Sequence, residues 1–227
     1  MIHRIIKPFV DFLYPPNCVF CDWVLRDARE IICESCWESI PRYSQEGGII
    51  QELREKIGEG LMLADAFAPW EFDTKMQYLI HQLKYNHHKR ISQEFGRRMH
   101  QALCESMFGQ DIDLIVPVPL HKSRRRKRGY NQSELIALSL AGYMSVPVDT
   151  SCITRTVNTQ SQTRLDIHRR MSNVNNAFDV ANPERIRDRS VLLIDDVITT
   201  GATMNACAAQ LLANGARRVS GLSVAKA

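Results

Sequence analysis

The residues best suited to chemistry lie together in the segment Val191–Met204. Its first four residues, 191–194, are all apolar, which is typical of a strand buried on both faces. Two carboxylates follow, and a loop of small and hydroxylated residues leads into a helix-compatible run, 204–213, which Asn214-Gly215 would end. Carboxylates bind sugar hydroxyls or Mg2+, whereas hydroxyl groups and the amides of a helix amino terminus bind phosphate. The predicted phosphate-and-sugar site comprises Asp195, Asp196, Val197, Thr199, Thr200, Gly201, Ala202 and Thr203.

This segment does not match the two commonest nucleotide-binding motifs. The sequence contains neither G-x-x-x-x-G-K-[ST] nor G-x-G-x-x-G. An ordinary strand–turn–helix with a threonine cap is the alternative interpretation. Phosphate binding is favoured because the acids and the loop together follow the strand, and α/β folds bind ligands at the carboxyl ends of their strands.

A second group of chemically capable residues is a cysteine cluster near the amino terminus. Two C-x-x-C pairs, separated by residues 22–32, can close a tetrahedral Zn2+ site that has no open position for catalysis. Two disulfides or four buried thiols are the alternatives, but the doubled spacing favours structural zinc. Trp23 and Trp37 each follow a pair, and we expect both to pack over the site. The predicted ligands are Cys18, Cys21, Cys33 and Cys36.

Composition sets broad limits on the protein. A length of 227 residues, with 44% hydrophobic and 24% charged residues, suits one medium-sized globular domain plus a small attachment. The net charge of +4 is too small to indicate a partner. The longest apolar window, 135–148, is too short and too interrupted to span a bilayer, and no secretory signal stands out. We therefore expect a cytoplasmic protein, where clustered cysteines favour metal over disulfides.

The order of patterned segments predicts an α/β fold. Residues 1–13 could form an amphipathic helix that packs on the next element rather than on a membrane, and the polar stretch 42–60 suggests a division into domains 1–60 and 61–227. Strand and helix patterns alternate from residue 113 onward, which implies right-handed crossovers and a parallel sheet flanked by helices. The further expected strands are 64–72 (one or two short strands), 113–118, 146–148 with 152–153, and 219–224. One expected helix runs from the Asp73 cap to Lys84-Tyr85, a second from the Ser92 cap to about Met107, and a third, after the basic run, to about Gly142.

Three segments are expected to meet at one edge of this sheet. If the strands are successive and parallel, their carboxyl ends deliver residues 117–128, 155–178 and 195–203 to a common crevice. The run 121–128 is strongly basic, and such runs are usually solvated; a nuclear-localisation-like patch and a nucleic-acid contact are further alternatives. Its position after a strand favours ligand binding.

Two longer motifs resemble a known family. The first is P-V-P-L-H-x-x-R-x-x-x-R-G-x-N-Q-S over residues 117–133, and the second is R-x-x-x-T-x-x-Q-x-x-L-x-x-x-x-R-x-x-N-x-x-x-A-F over residues 155–178. Together with the four cysteines and the acid–threonine segment, they resemble the ComF/GntX family of phosphoribosyltransferase-like proteins across nearly the whole chain. The matching positions are Arg124, Arg128, Gly129, Asn131 and Gln132 in the first motif, and Arg155, Thr159, Gln162, Leu165, Arg170, Asn173, Ala177 and Phe178 in the second.

The resemblance implies a type I phosphoribosyltransferase fold and a site for 5-phosphoribosyl 1-diphosphate (PRPP) with Mg2+. In it, residues 195–203 would hold the ribose and its 5′-phosphate. The loop of Pro119 would face the pyrophosphate, and the segment of Arg155 and Arg170 would close over it. If the protein is an enzyme, pyrophosphate is displaced from C1 of PRPP. Asp195 and Asp196 would then orient the ribose, while Arg124 and Arg128 would neutralise the departing pyrophosphate.

The same family is linked to natural competence and the use of imported DNA. Three functions therefore stay open: a PRPP-dependent transferase, a PRPP-sensing adaptor without turnover, and a protein that handles single-stranded DNA for the uptake machinery. A homo-oligomer is compatible with each. The sequence offers no evident general base and no acceptor pocket.

Overall fold

A parallel β-sheet built from the apolar runs forms the centre of the molecule. The computed structural model describes residues 16–25, 27, 30–44, 48–157 and 177–227. The described strands are β1 (Asp65–Phe67), β2 (Trp70–Glu71), β3 (Leu114–Pro117), β4 (Ile153–Arg155), β5 (Phe178–Val180), β6 (Ser190–Ile198) and β7 (Arg218–Lys226). The main sheet has the order β1-β7-β6-β3, β2 also pairs with β7, and every pairing is parallel.

Helices cover both faces of the sheet. They are α1 (Glu34–Glu38), α2 (Gly48–Ile57), α3 (Thr74–Tyr85), α4 (Arg90–Cys104), α5 (Lys122–Arg128), α6 (Gln132–Met144) and α7 (Ala202–Ala213). Helices α3, α4 and α6 share one apolar cluster with Leu192 and Ile194 of β6, whereas α2 and α7 share another with Val191 and Leu193. Alternate residues of one strand thus enter opposite cores. The predicted α/β class, with its parallel sheet between helices, is confirmed.

One predicted strand does not join this sheet. Val148 makes only a single parallel bridge, to Ile115, and β4 pairs instead with β5 in a separate antiparallel two-stranded sheet. The Asp149 carboxylate accepts hydrogen bonds from the backbone N–H groups of Ser151 and Cys152, at 2.8 and 3.0 Å, and so turns the chain away from the sheet edge. The prediction that Arg155 follows a strand of the parallel sheet was therefore wrong. The segment after Arg155 connects β4 to β5, the two strands of the separate antiparallel sheet.

Several element boundaries also differ from the predicted ones. Helix α4 begins at Arg90, and Ser92 lies inside it, where its hydroxyl donates to the carbonyl of Lys89 rather than capping the helix. The basic run folds as the short helix α5, which ends at Gly129 in a left-handed conformation (φ 81°). By contrast, Asp73 caps α3 as predicted, since its carboxylate accepts from the backbone N–H of Met76.

The small cysteine-rich module packs on the α/β part of the chain through α1. Trp37 is buried against Trp70 and Phe95, with ring centroids 5.1 and 6.2 Å away. The guanidinium of Arg98 on α4 lies 5.1 Å from the centre of the Trp37 ring and also pairs with Glu34. These contacts join the module to the core of the larger part.

The two tryptophans of the module have different environments. Trp37 is buried, but the side chain of Trp23 is 70% exposed, so the expectation that both pack over the cysteines was wrong for Trp23. Trp23 lies outside any helix or strand, whereas Trp37 lies on α1, which faces the larger core. The predicted helix 1–13 lies outside the described residues, and the division at residue 60 stays a prediction.

Helix α2 lies directly against the start of α7. Its Ile49 and Leu53 belong to the same apolar cluster as the residues of α7. Gly201, just before α7, has φ 71°, and a Cβ there would lie 2.6 Å from Leu53 Cδ2. Both the backbone conformation and the close approach of α2 therefore require glycine. Among the described residues, no helix has the length and apolar content needed to cross a membrane.

Gly201→Ala is expected to lower the free energy of unfolding by about 2–4 kcal/mol, from left-handed backbone strain and overlap with Leu53. Urea unfolding measures this loss. Gly142→Ala is the matched control, since Gly142 lies within α6 with no atom near its would-be Cβ and should gain stability from the higher helix propensity of alanine. Equal effects of the two substitutions would contradict the packing described here.

Candidate functional site

The acid pair lies within the central strand rather than beyond its end. Strand β6 continues past the acids, with Asp195 opposite Ser223 and Ile198 opposite Lys226 on β7. The predicted strand end at Ile194 was therefore four residues short, because β7 is long enough to pair with the whole segment. Asp195 is half-buried, and Asp196 is buried with 5% exposure.

Each carboxylate has its own partners. The Ser133 hydroxyl, at the start of α6, donates to Asp195 Oδ1 at 2.9 Å, and the backbone N–H of Asp196 donates to the same oxygen at 2.9 Å. The ammonium of Lys84, at the end of α3, lies 2.5 Å from Asp196 Oδ2. Burial and then the neighbouring Asp196 charge raise the pKa of Asp195 to about 7, while Lys84 and Ser133 act in the opposite direction. The two acids therefore sit in different environments.

The hydroxyl-rich loop and the start of α7 line a small open cavity of about 40 Å³. Gly201 is the N-cap of α7, and no side chain caps the helix. The Thr200 hydroxyl accepts only a long hydrogen bond, 3.4 Å, from the backbone N–H of Ala202. Amide groups of the first turn thus remain available to an anion. The predicted residues that the structure brings together here are Asp195, Val197, Thr199, Thr200, Gly201, Ala202 and Thr203.

The loop that carries Pro119 is anchored beside the acid pair. The Asn131 amide donates to the carbonyl of Val118 at 2.9 Å, and its oxygen accepts from the backbone N–H of Ser133. Because Ser133 in turn contacts Asp195, this hydrogen-bond chain fixes the loop relative to the acids. Three residues of the motif at 117–133 therefore have a structural role in holding the site.

The candidate arginines differ in their surroundings. Burial and then the nearby charge of Arg124 lower the pKa of Arg155, and the charge of Asp195 partly offsets this, so these three residues share one electrostatic environment. Arg128 instead lies over the ring of Tyr85, 5.1 Å from its centroid, and donates to Gln132 Oε1. Its predicted role towards pyrophosphate stays a prediction. Arg170 lies outside the described residues.

Two residues at the site had no predicted role. Ser133 ends the quoted motif, so its position offered a signal. Lys84 is an isolated lysine at the end of an amphipathic helix, and no local pattern distinguishes it from a solvated residue. Only the packing of α3 against the sheet reveals its contact with Asp196.

The four predicted zinc ligands converge. The sulfur atoms of Cys18, Cys21, Cys33 and Cys36 all lie within 4.8 Å of one another, with Cys21 Sγ and Cys33 Sγ 3.6 Å apart. Tetrahedral Zn2+ with bonds of ~2.3 Å places its ligands about 3.8 Å apart. The donor set fits structural zinc. Burial opposes ionisation of Cys18, but hydrogen bonds from the backbone of Cys33, Phe20 and Cys21 lower its pKa to about 6, whereas burial and the neighbouring thiols raise the pKa of Cys36 to about 12.

We expect one Zn2+ per chain, measured by elemental analysis of the purified protein, and its loss in Cys33→Ser. Cys33 also caps α1, so removing the metal should lower the melting temperature and change the environment of Trp37. Cys104→Ser, which alters an exposed cysteine outside the cluster, is the control and should keep its zinc. Full zinc content in Cys33→Ser, or none in freshly purified wild type, would refute the assignment.

Comparison with known proteins gives two family matches. Residues 82–224 match the phosphoribosyl transferase domain, and residues 9–46 match the double zinc ribbon domain. The matched ranges contain the acid pair and the four cysteines, respectively. The phosphoribosyl transferase match covers more than half of the chain.

Three curated relatives share most of the chain. Competence protein F of Haemophilus influenzae is 28% identical over 83% of this chain and 87% of its own length. DNA utilization protein YhgH of Escherichia coli is 35% identical over 66% of this chain and 70% of its own. Competence protein ComFC of Bacillus subtilis is 25% identical over 90% of this chain and 82% of its own. The chain therefore belongs to the ComF family, in which a phosphoribosyl transferase domain accompanies an amino-terminal double zinc ribbon.

Proposed function

We propose that the chain binds PRPP, with Mg2+, in the crevice formed by residues 195–203. The observation that carries this proposal is that Asp195 and the uncapped start of α7 line the same small cavity, with Asp196 adjacent in β6. Phosphate would accept hydrogen bonds from the amides and threonine hydroxyls, and the ribose hydroxyls would donate to the carboxylates. Such a ligand needs an anion site and a polyol site side by side, which this segment offers.

The second half of the ligand, the pyrophosphate, would face the arginines. Arg124 and Arg155 share the environment of Asp195, and their positive charges complement the two additional phosphates. Mg2+ held by the acids would neutralise further charge on the ligand. If catalysis takes place, the bond between C1 and the pyrophosphate oxygen breaks as an acceptor attacks C1, and Arg124 stabilises the departing anion. Arg128 and Arg170 are proposed as further contacts of the pyrophosphate.

The proposed biological setting is the use of imported DNA, in keeping with the names of the relatives, competence protein F and DNA utilization protein YhgH. A cytoplasmic location is proposed with it. Both a transferase and a non-catalytic PRPP sensor are compatible with the crevice, since both need the same binding groups. Release of pyrophosphate from PRPP when nucleobases or DNA are added separates them: a transferase releases it and a sensor does not.

Thr203→Val should weaken PRPP binding by about 1.5–3 kcal/mol, the usual contribution of a hydrogen bond to a charged group. Asp195→Asn should mainly reduce the dependence of binding on Mg2+. Isothermal calorimetry with and without Mg2+ measures both effects. Thr74→Val, at the exposed start of α3, is the matched control and should bind as wild type does. If wild type does not bind millimolar PRPP with Mg2+ present, the proposal fails.

A second proposed function is binding of single-stranded DNA by a basic surface beside the crevice. This basic surface consists of α5 and the turn between α3 and α4. The turn contacts Tyr130, just after α5: Lys89 Nζ lies 5.1 Å from the centroid of the Tyr130 ring, and the centroids of the His87 and Tyr130 rings are 5.7 Å apart. Tyr85, at the same place, is 58% exposed. Clustered cations with an accessible aromatic ring are typical of surfaces that bind single strands.

Arg126→Ala and Lys127→Ala should weaken single-strand binding and reduce its salt dependence by ~0.7 in slope per lost phosphate contact. Arg125 is a poorer probe because it pairs with Glu134 at 3.1 Å. Arg54→Ala, an exposed cation on α2, is the control. Fluorescence anisotropy over a salt series measures these effects. Absence of binding by wild type at low salt would remove this second function.

A further inference from the structure

Helix α3 ends inside the candidate site, although nothing in the sequence assigned it a role there. The residues on either side of Lys84 contact the end of α5 and the segment that follows it. The Leu83 carbonyl accepts a hydrogen bond from the Tyr130 hydroxyl, and the Tyr85 ring lies under the guanidinium of Arg128. The last turn of α3 is therefore fixed to the end of α5 and to Tyr130, within the motif at 117–133.

Lys84 itself points to the acid pair. Its ammonium lies 2.5 Å from Asp196 Oδ2, and the exposed fractions of the two side chains are 23% and 6%. A pair so largely removed from water interacts more strongly than a surface pair and is little screened by salt. The position of Lys84 in the last turn also suits a cation, because the carboxyl end of a helix carries partial negative charge. Three consecutive residues of α3 thus contact two parts of the site.

The charge balance explains why a cation is needed there. Asp195 is half-buried and the adjacent Asp196 is buried, so two ionised carboxylates would repel each other and any polyanion placed beside them. When both acids are ionised, Lys84 reduces the net charge of this group from two negative charges to one. The charge of Asp196 raises the pKa of Asp195, whereas the charge of Lys84 lowers it.

We propose that Lys84 is a positioning residue of the PRPP site, which holds Asp196 in place and supplies the positive charge that lets a polyanionic sugar phosphate bind beside two carboxylates. The inference rests on the proposed PRPP binding. In it, α3 and Mg2+ both supply positive charge that offsets the acid pair. Lys84 acts through Asp196 rather than on the reacting atoms.

The test is calorimetry of PRPP binding at low and at saturating Mg2+. Lys84→Met should weaken binding at low Mg2+ by roughly tenfold or more, because the positive charge that offsets the acid pair is lost. Saturating Mg2+ should recover part of this loss, because the metal ion supplies the missing charge. Lys84→Arg should retain most of the affinity. Lys75→Met, which removes a lysine from the first turn of the same helix, is the matched control and should bind as wild type does.

A double-mutant cycle with Asp196→Asn tests whether Lys84 acts through Asp196. In the Asp196→Asn background, Lys84→Met should have little further effect on PRPP affinity. The double variant also removes both charges of the pair, so it should fold even if Lys84→Met alone does not. A full additional loss in that background would overturn the inference.

The failure of this inference can be told apart from failure of the proposed function. If wild type does not bind PRPP, both are refuted. If wild type binds and Lys84→Met has the same affinity and Mg2+ dependence, only the role of Lys84 is refuted. The same holds if Lys84→Arg binds as weakly as Lys84→Met, because the charge would then not be the property that matters.

Discussion

The site depends on keeping two adjacent carboxylates at the carboxyl end of a buried strand. Such a pair is unfavourable by itself, since burial and mutual repulsion both oppose ionisation. The surrounding elements offset this cost: α6 brings a hydroxyl to Asp195, and α3 brings an ammonium to Asp196. The packing of α3 and α6 on the sheet therefore also stabilises the negative charges of the acid pair. A helix shifted by one turn would leave a charge without its partner.

The geometry also separates the two kinds of ligand group that the site would meet. Oxygen acceptors of the acid pair lie within β6, whereas amide and hydroxyl donors lie in the loop and the first turn of α7, only a few residues further on. A single short segment thus presents hydrogen-bond acceptors and hydrogen-bond donors only a few residues apart. Gly201 makes this possible, because its left-handed backbone turns the chain from strand to helix where Leu53 leaves no room for a side chain.

Much of this arrangement could be predicted from the sequence because local patterns determine it. The apolar run 191–194, the acid pair and the doubled C-x-x-C spacing each show their chemistry within a few residues. Features that depend on distant contacts could not be predicted. Val148 and β4 are too short for a pattern to show which strand they pair with, and the structure places β4 in a hairpin with β5. Lys84 looks like a surface lysine until α3 is packed on the sheet.

The exposure of Trp23 and the burial of Trp37 illustrate the same limit, since both follow a C-x-x-C pair at a similar distance. Trp37 lies between the zinc ligands and the larger core: Cys33 begins its helix, and Trp70 and Phe95 receive its ring. The indole therefore belongs to one apolar cluster with Cys18, Trp70 and Phe95, which joins the cysteines to the larger core. An amino-terminal fragment cut after α1 would expose this ring to water, and a foreign zinc ribbon joined to the same transferase domain would leave an empty pocket between Trp70 and Phe95. The two parts of the chain can be exchanged between relatives only together with the surface that joins them.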